Sequence, residues 1–197
     1  ILGNAGAKTL IFGADFAQAA AAIHERPGEH EVRTWIEIGN DEPRQPFAVD
    51  YDLLTSSSSP APPPLGAEDD DVLFIMYTSG TTGLPKGSVH THESFLWSVI
   101  TFAVTAELRF KDRYAIALPL FHVGALLPMV INVYRAITNV VLREFDPKVM
   151  WEVIENEKIN ATLAVPSMLN FMLLVPEFER YDYSSLRWVI SGATPVP

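Results

Sequence analysis

Residues 78–87 read Thr-Ser-Gly-Thr-Thr-Gly-Leu-Pro-Lys-Gly, placing four hydroxyls, three glycines and one lysine in a single short segment. Gly80 and Gly83 let the backbone turn sharply and bring N–H groups close to a ligand. Ser79, Thr81 and Thr82 add hydroxyl donors, and Lys86 adds a positive charge. Such a set suits an oxyanion, above all a polyphosphate, whose hydration shell is replaced by many weak donors and one ammonium. The same composition also describes a solvated turn with an exposed lysine. The Walker A pattern is excluded, because Lys86 follows Leu84-Pro85 and precedes Gly87 rather than standing in a Gly-Lys-Ser/Thr triplet.

The rest of the chain sets limits on that chemistry. At 197 residues and 48% apolar composition, it can bury one large core or two small ones. A formal net charge of -10 opposes the attraction that dominates nucleic-acid binding, so a bound polyanion needs a local site. The absence of cysteine excludes disulfides and thiolate metal sites and is consistent with a cytoplasmic protein. The five histidines show no metal-ligand spacing. No uninterrupted apolar run reaches the roughly 18 residues of a membrane span. Phe95–Leu108 comes nearest and reads as a buried helix interrupted by Ser98, Thr101 and Thr105. The start "ILGNAGAKTLIFG" and the end "WVISGATPVP" read as a fragment of a longer chain, with an element missing after the final strand.

The order of elements indicates how the segment is held. Thr9–Gly13 and Arg33–Gly39 read as strands around an alanine-rich helix, Phe16–Glu25, with Asp15 as its N-cap. The prolines, serines and acids of residues 40–71 read as a connection with one short helix near Phe47–Leu54 and an exposed loop over Ser56–Pro64. Three portions follow from this: strand-helix-strand in 1–39, connector in 40–71, and an α/β portion in 72–197. "VLFIMYT" (72–78) is expected to be a fully buried strand running into the hydroxyl-rich segment. Thr91 or His92 caps a helix over Phe95–Ala106, and strand 113–118, helix 124–135 and strand 138–142 follow. Asp146 with Pro147 starts another helix, then come "ATLAVP" as strand, Ser167–Val175 as helix and "LRWVISGA" as strand. Such alternation implies right-handed crossovers in a layered α/β sandwich of mostly parallel sheet, with ligands beyond the carboxyl ends of the strands. The loops after Thr78 and Ile190 occupy that end. Asp69–Asp71 reads as a solvated turn rather than a metal cluster.

"YTSGTTGLPKG" resembles the phosphate-binding signature of the adenylate-forming (AMP-binding) superfamily. "HTHES", "LPLFHVGAL", "VPSMLNFMLLVPEF" and "LRWVISGATPVP" follow in the order and approximate spacing of long-chain fatty-acid-CoA ligases. The likeness covers nearly the whole chain, weakly before Asp69, and implies an incomplete part of such an enzyme's large N-terminal domain.

That resemblance implies an AMP-forming acid–thiol ligase with ATP, Mg²⁺ and coenzyme A, acting on a carboxylic acid, a medium- or long-chain fatty acid in the leading reading. Thr78, Ser79, Gly80, Thr81, Thr82 and Gly83 would wrap the phosphates with Lys86 beside them, and Thr78 would help hold Mg²⁺. His122 would stand at the entrance of an acyl pocket near the reacting carboxylate, lined by Val123 and Gly124. Taken alone, His122 is equally a satisfied, partly buried histidine at a helix start. Gly192, Ala193, Thr194 and Pro195 would lie along the adenine, although Ala193 and Thr194 depart from the commoner Gly-Gly-Ala-Pro. No acid lies between Tyr114 and Tyr134, against an amino-acid substrate. Aryl-acid ligases and a non-catalytic nucleotide- or acyl-binding relative stay open. The family's later glutamate, aspartate and lysine signatures are not in this sequence, so the fragment by itself is expected to form no adenylate. A cytoplasmic location is implied. Peripheral membrane contact is compatible with water-insoluble acids, without a basic amphipathic helix to support it. Oligomeric state is unreadable.

Overall fold

Strands and helices alternate along most of the chain, and two of its sheets are parallel. The computed structural model describes residues 1–39, 44–79 and 83–192. The chain divides into one unit of residues 1–68 with 77–89 and another of residues 69–76 with 90 onward.

In the first unit, β1 (Thr9–Gly13), β2 (Thr34–Ile38) and the two-residue β3 (Val49–Asp50) form a parallel three-stranded sheet in that order. Helix α1 (Ala17–His24) buries Ala20 in a core with Phe12, Val32 and Trp35. Asp15 does not cap it. That residue lies inside a 3-10 turn, Ala14–Phe16, and the cap position falls on Phe16, whose side chain makes no capping bond. Helix α2 (Tyr51–Ser57) starts downstream of the expected Phe47, because the Asp50 carboxylate accepts the Leu53 N–H at 2.8 Å. That bond, with Arg44 nearby, holds the Asp50 carboxyl below its usual range.

Strand β4 (Val72–Thr78) pairs with β5 (Lys86–Thr91) as a two-stranded sheet. The sequence suggested a fully buried β4, yet Val72 is 56% and Leu73 40% exposed. Among the described residues β4 has one neighbouring strand, and of its side chains Phe74 reaches a core, edge-on to Phe95 at 4.9 Å. Strand β5 had no counterpart in the sequence reading. Helix α3 (His92–Thr105) follows it directly, closed by a capping box in which Thr91 and Ser94 satisfy each other's backbone N–H. Its first amides donate to the acidic turn: His92 N–H to Asp71 O and Glu93 N–H to Asp69 O.

The second unit is built on a parallel sheet of β6 (Arg113–Ile116), β7 (Thr138–Val141), β8 (Ala161–Leu163) and β9 (Trp188–Ile190), in the spatial order β7-β6-β8-β9. Helix α4 (Val123–Tyr134) carries the chain from β6 out to β7, α5 (Pro147–Asn156) returns it to β8, and α6 (Pro166–Leu173) takes it out on the other side to β9. Right-handed crossovers in opposite directions put α4 and α6 on opposite faces. The cores agree. Tyr114 and Ile116 face Phe95, Val99, Ala125 and Ile131 of α3 and α4, whereas Ala115 and Ala117 face Met150, Trp151, Met168 and Met172 of α5 and α6. Asp146 starts α5 as expected, accepting from the Lys148 and Val149 amides at 2.9 and 2.8 Å ahead of Pro147. Pro128 lies inside α4. No helix among the described residues is long and apolar enough to cross a membrane.

One ion pair closes the amino-terminal edge of this sheet. Arg187, just before β9, donates two hydrogen bonds to Asp112, just before β6, at 2.7 and 2.6 Å. Burial alone would raise the Asp112 carboxyl; the Arg187 bonds and the Arg109 N–H outweigh it and hold it below its usual range. A depressed carboxyl stabilises the fold above its unfolded-state value and ceases to do so as pH falls through the folded-state value. Arg187→Met should therefore cost about 2–3 kcal/mol at neutral pH, somewhat less than a fully buried pair. Urea unfolding should show the gap to wild type narrowing below the ordinary carboxylate range.

Candidate active site

The loops leaving β6 and β8 part toward opposite faces, and a parallel sheet leaves a crevice where its strand order reverses. A cavity of about 460 Å³ occupies this place, lined by Leu118 and Pro119 after β6, His122, Val123 and Gly124 at the start of α4, Leu163 and Val165 at β8, and Ile190 and Gly192 at β9. Its wall is almost wholly aliphatic. His122 is the one titratable side chain among these lining residues.

His122 is the N-cap residue of α4, in extended conformation, and its backbone carbonyl accepts the Ala125 and Leu126 amides, both at 3.0 Å. Its ring makes no capping bond and is exposed at the mouth of the cavity. The satisfied, partly buried histidine is thus not what the structure shows. The amides of Val123 and Gly124 precede the first helical donor and carry the partial positive charge of the helix start, which suits a carboxylate at the rim. Gly124 is packed closely. A Cβ there would lie 3.1 Å from Leu118 Cδ1 and 3.8 Å from Leu163 Cδ2, so a larger side chain must displace the ends of those leucines or enter the cavity.

The hydroxyl-rich segment belongs to the first unit. Thr78 ends β4, Ser79 follows it, and both are exposed. Gly83 has φ of +85°, a left-handed conformation that a side chain would strain. Lys86 opens β5 with its side chain in solvent, and among the described residues no carboxylate pairs with it. These groups can hold an oxyanion. Gly80, Thr81 and Thr82, together with Ala193, Thr194 and Pro195, lie outside the described residues. Thr78 offers Mg²⁺ a single hydroxyl, and among the described residues no group of three or more histidine or acidic side chains could hold a metal.

The structure thus gathers His122, Val123, Gly124 and Gly192 around one cavity. The aliphatic wall residues Leu118, Leu163, Val165 and Ile190 were missed as site residues. Their signal was positional, since each stands at or just beyond the carboxyl end of an apolar strand.

The second unit thus carries a crevice in a parallel α/β sheet with an aliphatic pocket and a histidine at a helix start, and the first unit carries the exposed hydroxyl- and lysine-bearing segment. The chain belongs to the AMP-binding enzyme family, whose model matches residues 1–197. It is 38% identical over 200 residues to the long-chain-fatty-acid–CoA ligase FadD13 of Mycobacterium tuberculosis, covering 100% of this chain and 37% of that protein. The crystal structure of the inhibitor-bound N-terminal domain of FACL13 from Mycobacterium tuberculosis superposes with a TM-score of 0.87 at 36% identity, over 100% of this chain and 47% of that one. Indoleacetate–CoA ligase of Aromatoleum aromaticum is 37% identical over 164 residues, 81% of this chain and 32% of the relative. The chain therefore spans well under half the length of these curated relatives.

If Lys86 reads the outer phosphates, Lys86→Ala in the full-length protein should weaken ATP binding about 10- to 100-fold, the range of one charge-assisted hydrogen bond. AMP binding should change by less than about twofold. Titration calorimetry with both nucleotides checks this.

Proposed function

We propose that the full-length protein carrying this chain activates a carboxylic acid with ATP, releasing pyrophosphate, and passes the acyl-adenylate to coenzyme A. The observation that carries this reading is the aliphatic cavity whose polar rim consists of His122 and the start of α4. An apolar acid enters tail first, leaving its carboxylate beside the His122 ring and the first amides of α4. There the carboxylate is oriented for attack on the α-phosphorus, a step that needs alignment and charge neutralisation more than a strong base. Lys86 and the hydroxyls of Thr78 and Ser79 take the phosphates.

The acid is a medium- or long-chain fatty acid in the reading we favour, supported by the aliphatic lining and the likeness to a long-chain-fatty-acid ligase. No acidic side chain among the lining residues could hold an amino group. An aryl acid is the second reading, favoured by the likeness to indoleacetate–CoA ligase.

ATP–pyrophosphate exchange by the full-length protein, run over acetate, benzoate, indoleacetate and fatty acids of rising length, decides between them. We expect exchange to rise with chain length. His122→Ala should lower the rate about tenfold or more without changing ATP affinity, the loss of one hydrogen bond made at the reacting group. Gly124→Leu, which fills the cavity, should shift preference toward smaller acids. A protein that binds ATP yet exchanges with no acid is instead a non-catalytic nucleotide-binding relative.

A further inference from the structure

We infer that Tyr77 and Asn4 form a tether that positions the entrance of the oxyanion segment. This rests on the reading of Thr78 and Ser79 as nucleotide-binding groups. The Tyr77 hydroxyl donates to Asn4 Oδ1 at 2.5 Å across 73 residues of sequence, and both residues belong to the first unit. Tyr77 immediately precedes Thr78.

The anchor is built to stay in place. Asn4 lies in a turn closed by three backbone bonds, from Ala5 to Ile1 O, Gly6 to Gly3 O and Ala7 to Leu2 O, at 2.9, 3.2 and 3.1 Å. Gly3 is pressed onto the neighbouring loop so closely that a Cβ would stand 2.3 Å from Glu29 O. The turn leads directly into β1, and Lys8 O accepts from both Arg33 and Thr34 at the start of β2. Among the described residues, the tethered end is held by fewer bonds than the anchor. Thr78 and Ser79 are exposed, and β4 pairs with β5 alone among the described residues. The phenol-to-amide hydrogen bond therefore adds to the β4–β5 pairing a second anchor, one residue ahead of the Thr78 hydroxyl and the Ser79 amide. Its loss widens the range of positions those donors sample, which costs affinity for a polyphosphate and leaves the aliphatic cavity unaltered.

The experiment uses the full-length protein with Tyr77→Phe, Asn4→Ala, the double variant and Asn4→Asp, which keeps an acceptor. Affinity for a non-hydrolysable ATP analogue is measured by calorimetry, and KM for ATP and for the acid by pyrophosphate exchange. We expect each single removal to weaken ATP binding about three- to tenfold, the double variant to be no weaker than either single, and Asn4→Asp to stay within about twofold of wild type. KM for the acid should not move. Unchanged ATP affinity in Tyr77→Phe, additive losses in the double variant, or a parallel rise in KM for the acid would each overturn the tether. Wild-type protein that binds the analogue but exchanges with no acid sinks the ligase reading alone, because the calorimetric comparison still reports on the tether. Wild-type protein that binds no nucleotide overturns both.

Discussion

The parallel pairing of β6 with β8 is the constraint on which the candidate site depends. Two adjacent parallel strands whose continuations leave toward opposite faces cannot close the space above their ends. Tyr114 pairs with Ala161 and Ala115 with Thr162, so that space is walled from below by the strand ends and from the side by the start of α4. The register also seats the Thr162 hydroxyl on Ala115 O at 2.8 Å, satisfying a buried polar group within the sheet. The cavity is thus a by-product of topology, and side chains only tune its size and polarity.

Much of this arrangement was legible where local chemistry and tertiary structure agree. Asp146-Pro147 and Thr91 each specify a helix start by bonds that form within a few residues, and both were found there. The strands of the second unit were legible because parallel strands covered on both faces read as short apolar runs between helices. The two-residue β3 was not, since its pairing with β2 depends on a distant partner rather than on its own two side chains. Strand β5, "KGSVHT", has too few apolar residues to announce itself and exists through β4. The burial of β4 was misjudged for the opposite reason: an apolar run states a tendency to be covered, whereas exposure is decided by neighbouring elements.

For the site itself, motif residues were more legible than walls. Glycine, hydroxyl and lysine clusters are rare enough to stand out, so Thr78, Ser79 and Lys86 could be proposed from composition, whereas His122 was proposed through the family resemblance. Leu118, Leu163 and Ile190 are ordinary residues for strand ends, and only the register reveals that they share a cavity. Asn4 is more hidden still. An asparagine in a turn carries no sign that its amide serves a tyrosine 73 residues later.

The pair that closes the sheet edge also has a consequence for synthesis. Asp112 waits 75 residues of translation for Arg187, and β9, which brings Ile190 and Gly192 to the cavity, emerges with it. Ribosomes add about 5–20 residues per second, so the interval lasts several seconds or more. During that time β6, β7 and β8 can pair, while β8 presents an unpaired apolar edge and Asp112 a carboxylate without its cation. The same long-range closure that brings Ile190 and Gly192 to the pocket thus leaves the nascent chain exposed to aggregation until β9 arrives.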